Sequence, residues 1–476
     1  MKAARKAARR GAATFAGSLL LGACSLAPTY QVPKVDIPDH YKEEAPWTDA
    51  QPADALPRGN WWSLYGDTKL DQLERELDAN SPDIAAAFAR YSEAKTYDEE
   101  ARSGLFPTLT GLLDWSRDRQ SDTRPLRGAG QPNEYGADTL GVQADYELDL
   151  WGRVHNSVIA AQSEGRAAAA DLASARLSLE VRLASDYVSI IGEDRDIQLL
   201  VDTVTAYEKA LTLTQTLHDG GVVSGLDVGR AQLQLSAAKA QVSESRARRA
   251  LLEHAIAALV GEPASTFSLA PDAHTIRLPD LPAGVPAVLL QRRPDIAAAE
   301  RRTAAANAKI GVARAAFFPS LDLSASLGLQ SSSSGSWLMA PASYWALGPM
   351  LAQTIFDGGL HRARLNRAHA VLDETAAAYR ATVLTAFQQV EDDLSLLGNY
   401  KAEANDQSAA VEAAQRTLSI SMTQYRDGGA DYLNVVDSQT AALGAQRLEF
   451  SLETRQRLAS IDLVRALGGG WSVAND

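Results

Sequence analysis

The chain has one cysteine, Cys24, and its surroundings predict that its sulfur is lipidated. Five basic residues precede an apolar stretch over 11–21, and together they have the composition of an export signal. The stretch ends in small residues directly before the cysteine, which resembles a bacterial lipobox. We therefore expect residues 1–23 to be a cleaved signal peptide and Cys24 to be diacylated. An ordinary signal peptide with an incidental cysteine is the alternative. Ser25 stands where lipoproteins of the inner membrane usually carry Asp, so the outer membrane is the predicted location.

Other reactive side chains are not arranged for catalysis. The seven histidines include no metal-ligand spacing of the HExxH type, and the sequence has no Walker loop or dinucleotide-binding glycine pattern. Ser92 and Lys95 fit an SxxK motif, but they lie in a helical pattern without the companion motifs, which indicates a solvated face. We expect no enzymatic activity, no cofactor and no metal. A net charge of −13 also argues against nucleic acid as a partner, because phosphate contact needs clustered Lys and Arg.

Two stretches alternate strictly between apolar and polar residues, over 139–150 and 320–330. Such runs predict strands with one apolar and one polar face, and their length fits a transmembrane β-barrel with lipid outside and water inside. A strand of a sandwich alternates in the same way. Under the barrel interpretation, acids on the polar faces line the lumen and favour cations. These lumen acids are Asp145, Glu147, Asp149 and Asp322.

The chain also repeats itself in two halves. Residues 82–87 match 294–299 at an offset of 212, and an apolar heptad stripe that starts at Leu183 recurs from Val390 at an offset of 207. Proline is absent from residues 133–262 and again from 350–476, so both spans can form long helices. Two copies of one coiled-coil unit are the simplest explanation.

The patterns predict the following organisation. Segments 24–81, 262–293 and 468–476 flank two repeats, which span 82–261 and 294–467. The first repeat contains helix 82–104, hairpin 106–150, long helix 153–217 and helix 223–260. The second contains helix 294–316, hairpin 318–356, long helix 360–424 and helix 430–467.

The number of strands predicts an oligomer. Four strands per chain cannot close a membrane barrel, which needs at least about eight, and an open sheet edge does not occur in lipid. Two chains would give eight strands and a filled lumen, whereas three give twelve strands and a pore. The two long helices would each measure about 98 Å at 1.5 Å per residue.

Five motifs occur in order along the chain: NWWSLYGDTKLDQL at 60–73, YELDLWGR at 146–153, QRRPDIAAAERR at 291–302, FFPSL at 317–321 and IFDGG at 355–359. With the duplication and the lipobox, they resemble the outer-membrane factor family, the exit ducts of tripartite efflux pumps and type I secretion systems. The nearest likeness is to its lipoprotein members of the nodulation-protein T type.

The resemblance implies a mixed α/β membrane protein. Three copies would form a twelve-stranded barrel that continues as a periplasmic α-helical tunnel, and the three flanking segments would form an equatorial collar. The implied partners are two further copies of the chain, a periplasmic adaptor, an inner-membrane transporter of the resistance-nodulation-division type and outer-membrane lipid.

The resemblance also implies a closed periplasmic aperture. Leu433 and Asp437 would point to the threefold axis as a hydrophobic and an acidic ring, and Asn434 departs from members that carry a second acid there. Hydrogen bonds between the two helical pairs hold the aperture shut in the family, and the matching residues are Tyr425 and Asp227. Polar residues that merely solvate a turn are the alternative.

The expected function is passive conduction of substrates out of the cell in an efflux pump. A type I secretion duct and a structural envelope protein that does not conduct remain as alternatives. The polar strand face separates conduction from a structural role, because a filled barrel needs apolar or interlocking side chains there.

Overall fold

The computed structural model of the chain describes residues 25–36, 41–42, 60–125, 128, 130, 132–279, 292–332 and 339–469. Cys24 and the expected signal peptide lie outside these ranges, as do parts of the expected collar segments. No helix within the described ranges is long and apolar enough to cross a membrane.

The described residues form long helices and a four-stranded sheet. In the first half, the elements are α1 (Thr68–Asn80), α2 (Pro82–Ser103), β1 (Thr108–Arg119), β2 (Glu134–Glu147), α3 (Arg153–Asp219) and α4 (Gly225–Leu259). In the second half, they are α5 (Pro294–Ala315), β3 (Ser320–Ser331), β4 (Ser343–Ala352), α6 (Leu360–Arg426) and α7 (Tyr432–Ala466).

Corresponding helices of the two halves have equal lengths. Helices α2 and α5 have 22 residues each, α3 and α6 have 67, and α4 and α7 have 35. Both α2 and α5 begin with a proline, whose fixed φ and missing N–H suit the first turn. The long helices extend two residues beyond the predicted ends at 217 and 424, and α4 and α7 begin two residues after 223 and 430.

The strands form an antiparallel sheet in the order β1-β2-β3-β4. Its register places apolar residues of neighbouring strands side by side. Leu113 pairs with Leu140, Val142 with Leu327, and Leu327 with Trp345. All five side chains are exposed, and Trp345 retains 80% of its accessible surface. One face of the sheet is therefore apolar across all four strands and is not covered by the rest of the described chain.

Contacts divide the chain into two compact units. The first comprises the described residues within 25–33, 91–168 and 299–379, and it contains the sheet. The second comprises the described residues within 34–90, 169–298 and 380–469.

In the first unit, a strap formed by residues 25–33 is bound to α3 and α5. Ser25 Oγ donates to Asn156 Oδ1 at 2.8 Å, and Asn307 Nδ2 donates to the Pro28 carbonyl at 2.7 Å. Further hydrogen bonds join Arg314 to the Leu26 carbonyl and the Tyr30 hydroxyl to Glu300. The strap is thus attached at several points along its length.

The second unit has an apolar core around α1. Asp67 caps α1 by accepting the N–H groups of Lys69 and Leu70 at 2.8 and 3.0 Å. Leu70, Leu73 and Leu77 follow at helical spacing, are fully buried and pack in one cluster with residues of α3 and α4. The core fixes α1 against the middle of the long helix.

Each turn between paired helices has a glycine in the left-handed conformation. Gly221 has φ +72° and Gly428 has φ +77°. The N–H that follows each glycine donates five residues back, from Val222 to Leu217 at 2.8 Å and from Gly429 to Gln424 at 2.7 Å. This is the Schellman arrangement, in which glycine avoids the steric cost of a side chain at positive φ.

A substitution at the first turn tests this requirement. Gly221→Ala should destabilise each protomer by about 1–2 kcal/mol, because a Cβ at positive φ is strained even though open space surrounds it. Gly229→Ala should stabilise it by about 1 kcal/mol, since Gly229 lies within α4 and also has open space around it. Thermal unfolding of the detergent-solubilised protein measures both changes, and shifts of the same sign would contradict the assignment.

The core of the second unit also contains an unusual acid, Glu74 of α1. Its side chain is fully buried, and neither carboxylate oxygen has a hydrogen-bond partner among the described residues. Burial, together with Glu180, Asp78 and Asp71 nearby, raises the pKa of Glu74 from 4.5 to about 10. The folded protein therefore holds this proton at neutral pH.

This proton makes stability depend on pH. Between about pH 4.5 and 10 the folded state binds the Glu74 proton and the unfolded state releases it, so Glu74 lowers stability progressively as the pH rises. Glu74→Gln should therefore raise the midpoint of thermal unfolding at pH 8 by more than at pH 5. An equal shift at the two pH values would show that the carboxyl group is not protonated in the folded state.

Candidate functional site

The four acids predicted for the polar strand face have different surroundings. Asp145 of β2 lies opposite Ser324 of β3 and accepts from its hydroxyl at 2.8 Å. It also accepts from Gln143 Nε2 at 2.9 Å. Neutral donors orient this carboxylate without neutralising it. Asp322 lies opposite Glu147 and accepts from Ser320 at 3.1 Å.

The other two acids interact with the start of α3. Glu147 accepts from Arg153 Nε at 2.7 Å in a two-point ion pair, so its charge is compensated. Asp149 lies beyond the end of β2 and not on the polar strand face, which corrects the sequence prediction. Its carboxylate accepts the N–H of His155 at 2.7 Å, because the first N–H groups of a helix have no partner within the helix.

At the turns, residues from both helical pairs meet in one buried cluster. Tyr425 at the end of α6 and Tyr432 at the start of α7 lie with ring centroids 5.2 Å apart. Ala231 of α4 and Leu217 of α3 pack against them. Burial, and then the neighbouring Tyr425, raises the pKa of Tyr432 to about 12, so its hydroxyl stays protonated at neutral pH. The cluster joins the two helical pairs.

The two residues implied as aperture locks have separate partners within the chain. The Tyr425 hydroxyl donates to Thr214 Oγ1 of α3 at 3.4 Å. Asp227 interacts with Arg230 at 3.5 Å and accepts from Ser224 at 3.3 Å. Tyr425 thus links the second helical pair to the first, but through α3 and not through Asp227.

The three residues implied for the aperture share one side of α7. Leu433, Asn434 and Asp437 are exposed, and Leu433 retains 43% of its accessible surface. Val435 and Ser438, on the other side of the helix, are buried. The structure therefore directs Leu433 and Asp437 away from the packed cluster of their own chain.

Sequence reasoning missed the hydroxyl groups inside this cluster. Thr214 is fully buried three residues after the heptad position Leu211, where an apolar residue is usual. Ser421, its counterpart in the second half, lies 2.9 Å from Ser438 of α7, hydroxyl to hydroxyl. A polar residue at a core position of the heptad is the signal that could have identified both sites.

Known proteins resemble the chain over nearly its whole length. The sequence profile of the outer membrane efflux protein family matches residues 73–262 and 285–469. The chain is 31% identical over 457 residues to the probable efflux pump outer membrane protein TtgC of Pseudomonas putida, and the alignment covers 95% of this chain and 94% of TtgC. It is 32% identical over 462 residues to the pyoverdine export outer membrane protein OpmQ of Pseudomonas aeruginosa, covering 95% of both.

Solved structures share the fold. The outer-membrane channel OprN is 29% identical and superposes with a TM-score of 0.85 over 94% of this chain and 100% of OprN. The outer membrane channel CmeC of Campylobacter jejuni, at 22% identity, superposes with a TM-score of 0.88 over 95% of this chain and 96% of CmeC.

Proposed function

The chain belongs to the outer membrane efflux protein family, and we propose that three copies of it form the exit duct of a tripartite efflux pump. The duct conducts substrates passively to the exterior. A periplasmic adaptor and an inner-membrane transporter of the resistance-nodulation-division type deliver these substrates, and the transporter supplies the energy.

The observation that carries the proposal is the sheet. Its apolar face extends across four strands, but β1 and β4 each pair on only one side within the chain. In lipid, the backbone groups along those edges require partners. Pairing β4 of one copy with β1 of the next in a ring of three gives twelve strands, with the apolar face toward lipid and the polar face around a water-filled lumen.

We further propose that the lumen acids favour cations within the barrel. Asp145 and Asp322 carry this effect, since their hydrogen-bond partners Ser324, Gln143 and Ser320 are neutral. Glu147 contributes less, because Arg153 compensates its charge. Like charges that line a pore raise the local concentration of the opposite ion.

The periplasmic aperture is proposed at the exposed side of α7. Leu433, Asn434 and Asp437 of three copies surround the axis there, with Leu433 as a hydrophobic ring and Asp437 as an acidic one. Tyr425 and Asp227 hold the helical pairs in the closed position. Their position beside the turns and the link from Tyr425 to Thr214 support this role.

Opening the aperture tests the proposed function. Tyr425→Phe combined with Asp227→Ala should raise single-channel conductance in planar bilayers and admit large antibiotics such as vancomycin. The Tyr425–Thr214 hydrogen bond joins two neutral groups and contributes roughly 0.5–1.5 kcal/mol, and three copies multiply the loss, which is enough to shift a closed population. Tyr400→Phe with Asp392→Ala is the matched control, because it removes the same groups from α6 away from the turns and should leave conductance unchanged.

Absence of any conductance from the double variant would overturn the proposal of a duct, and unchanged low conductance would place the gate elsewhere.

The same recordings test the roles proposed for the lumen acids and for Asp437. In a salt gradient, the reversal potential of the opened channel should have the sign of a channel that prefers cations. Asp437→Ala should weaken the block of the current by multivalent cations added on the periplasmic side. Anion preference would contradict the role of the lumen acids.

We propose that diacylated Cys24 anchors the protein in the outer membrane. Two acyl chains give stable attachment, and the barrel adds to it. Cys24→Ser should abolish lipid labelling while trimers still form, because strand pairing does not need the anchor. Labelling that persists in the variant would contradict the site, and recovery of the wild-type protein as soluble periplasmic material would contradict the anchor.

A further inference from the structure

Four helices of the first unit line an open cavity of about 1070 Å³ beside the strands. Each of α2, α3, α5 and α6 contributes one side, at the end of the helix that adjoins a strand. On α6 the lining residues are Arg364, Arg367, Ala368 and Val371, which have the spacing of a single helical face. The cavity is therefore built from corresponding faces of both repeats.

The repeats place different side chains at equivalent positions of this cavity. Ser157 and Ala160 of α3 correspond to Arg364 and Arg367 of α6 at the offset of 207, and all four line the cavity. The second half thus contributes two positive charges where the first half contributes a hydroxyl and a methyl group.

The charges of the lining are unequally compensated. Lys309 Nζ lies 3.0 Å from Glu164, and Arg153 is paired with Glu147. Arg364 and Arg367 are exposed, and neither forms an ion pair with a carboxylate of the described residues. Among the described residues, the lining thus holds two arginines without an ion pair on one face of α6 and one acid without an ion pair, Glu100 of α2.

One lining residue of the cavity is bonded to the polar face of the sheet. Arg153 lines the cavity and donates to Glu147, which lies on that polar face. In the proposed trimer the polar face surrounds the lumen, so the cavity belongs to the wall of the duct just beyond the barrel. The inference below rests on the proposed function for this placement.

We propose that this cavity is a binding site for amphipathic organic anions in transit. Arg364 and Arg367 bind the carboxylate, sulfonate or phosphate group, since guanidinium groups form two-point hydrogen bonds with such anions. Tyr97, Val312 and Val371 supply an apolar surface for the body of the molecule. The volume lies slightly above the range for sites that hold drug-sized ligands, about 300–1000 Å³.

Binding of the dye 8-hydroxypyrene-1,3,6-trisulfonate to the purified, detergent-solubilised trimer tests the site. Its apolar ring system and three sulfonates match the proposed ligand chemistry, and fluorescence anisotropy at low ionic strength measures its affinity. Arg364→Ser combined with Arg367→Ala, which installs the residues of the first repeat, should weaken binding at least about tenfold. Arg364→Lys with Arg367→Lys should bind more weakly than the wild type but more tightly than the Ser and Ala variant, because it keeps both charges and loses the two-point hydrogen bonds.

The matched control removes two charges from the opposite side of the same helix. Arg362 and Arg380 are exposed residues of α6 that lie about 160–170° around the helix from the lining face. Arg362→Ser with Arg380→Ala should change the affinity by less than about twofold, and Ser157→Arg should tighten binding, since it adds the charge of Arg364 to the first repeat. An equal loss in the two double variants, or no saturable binding to the wild-type trimer, would overturn the site.

Bilayer recordings of the same preparations separate this inference from the proposed function. Trimers that conduct but whose dye binding does not depend on Arg364 and Arg367 would refute the anion site and leave the duct standing. Dye binding that depends on both arginines in a protein that never conducts would refute the duct and leave the site standing.

Discussion

The rest of the structure depends on the hydrogen bonds that the backbone of the sheet must make in lipid. An unpaired N–H or C=O group costs several kcal/mol in hydrocarbon, and the described part of a single chain leaves the outer edges of β1 and β4 without partners. The apolar face that runs from Leu113 to Trp345 is stable only where lipid covers it. Membrane insertion and assembly are therefore linked, because the surface that requires lipid also has edges that require neighbouring chains.

The duplication explains why the two halves of the chain have the same order of elements. The two halves share helix lengths of 22, 67 and 35 residues and the same glycine turn, at Gly221 and Gly428. Equal lengths keep the two turns aligned, since a difference in length between the two long helices would move one turn relative to the other. Positions that line the cavity of the first unit are under no such constraint, and there the halves have diverged, as Ser157 and Arg364 illustrate.

The sequence predicts the helices well because long helices have strong local signals, namely the absence of proline and a heptad stripe. It also predicts which strand residues share a face, because side chains alternate with a fixed period of two. It does not predict pairing across large separations. The contact between Tyr425 and Thr214, for example, spans 211 residues. Short-range pairing is missed where it depends on a turn. Glu147 meets Arg153 because the chain turns tightly at Gly152, which has φ +70°. The same turn moves Asp149 from the strand to the helix cap.

The strap connects the proposed lipid anchor to the helices of the first unit. Ser25, which directly follows the proposed acylation site in the sequence, is held by Asn156 near the first turn of α3. An acyl group on Cys24 would thus enter the bilayer close to the junction of helix and strand, with almost no free chain between lipid and fold. Such an anchor would restrict how far the barrel can shift along the membrane normal. A bilayer that thickens or thins around the barrel would then pull directly on the Ser25–Asn156 hydrogen bond.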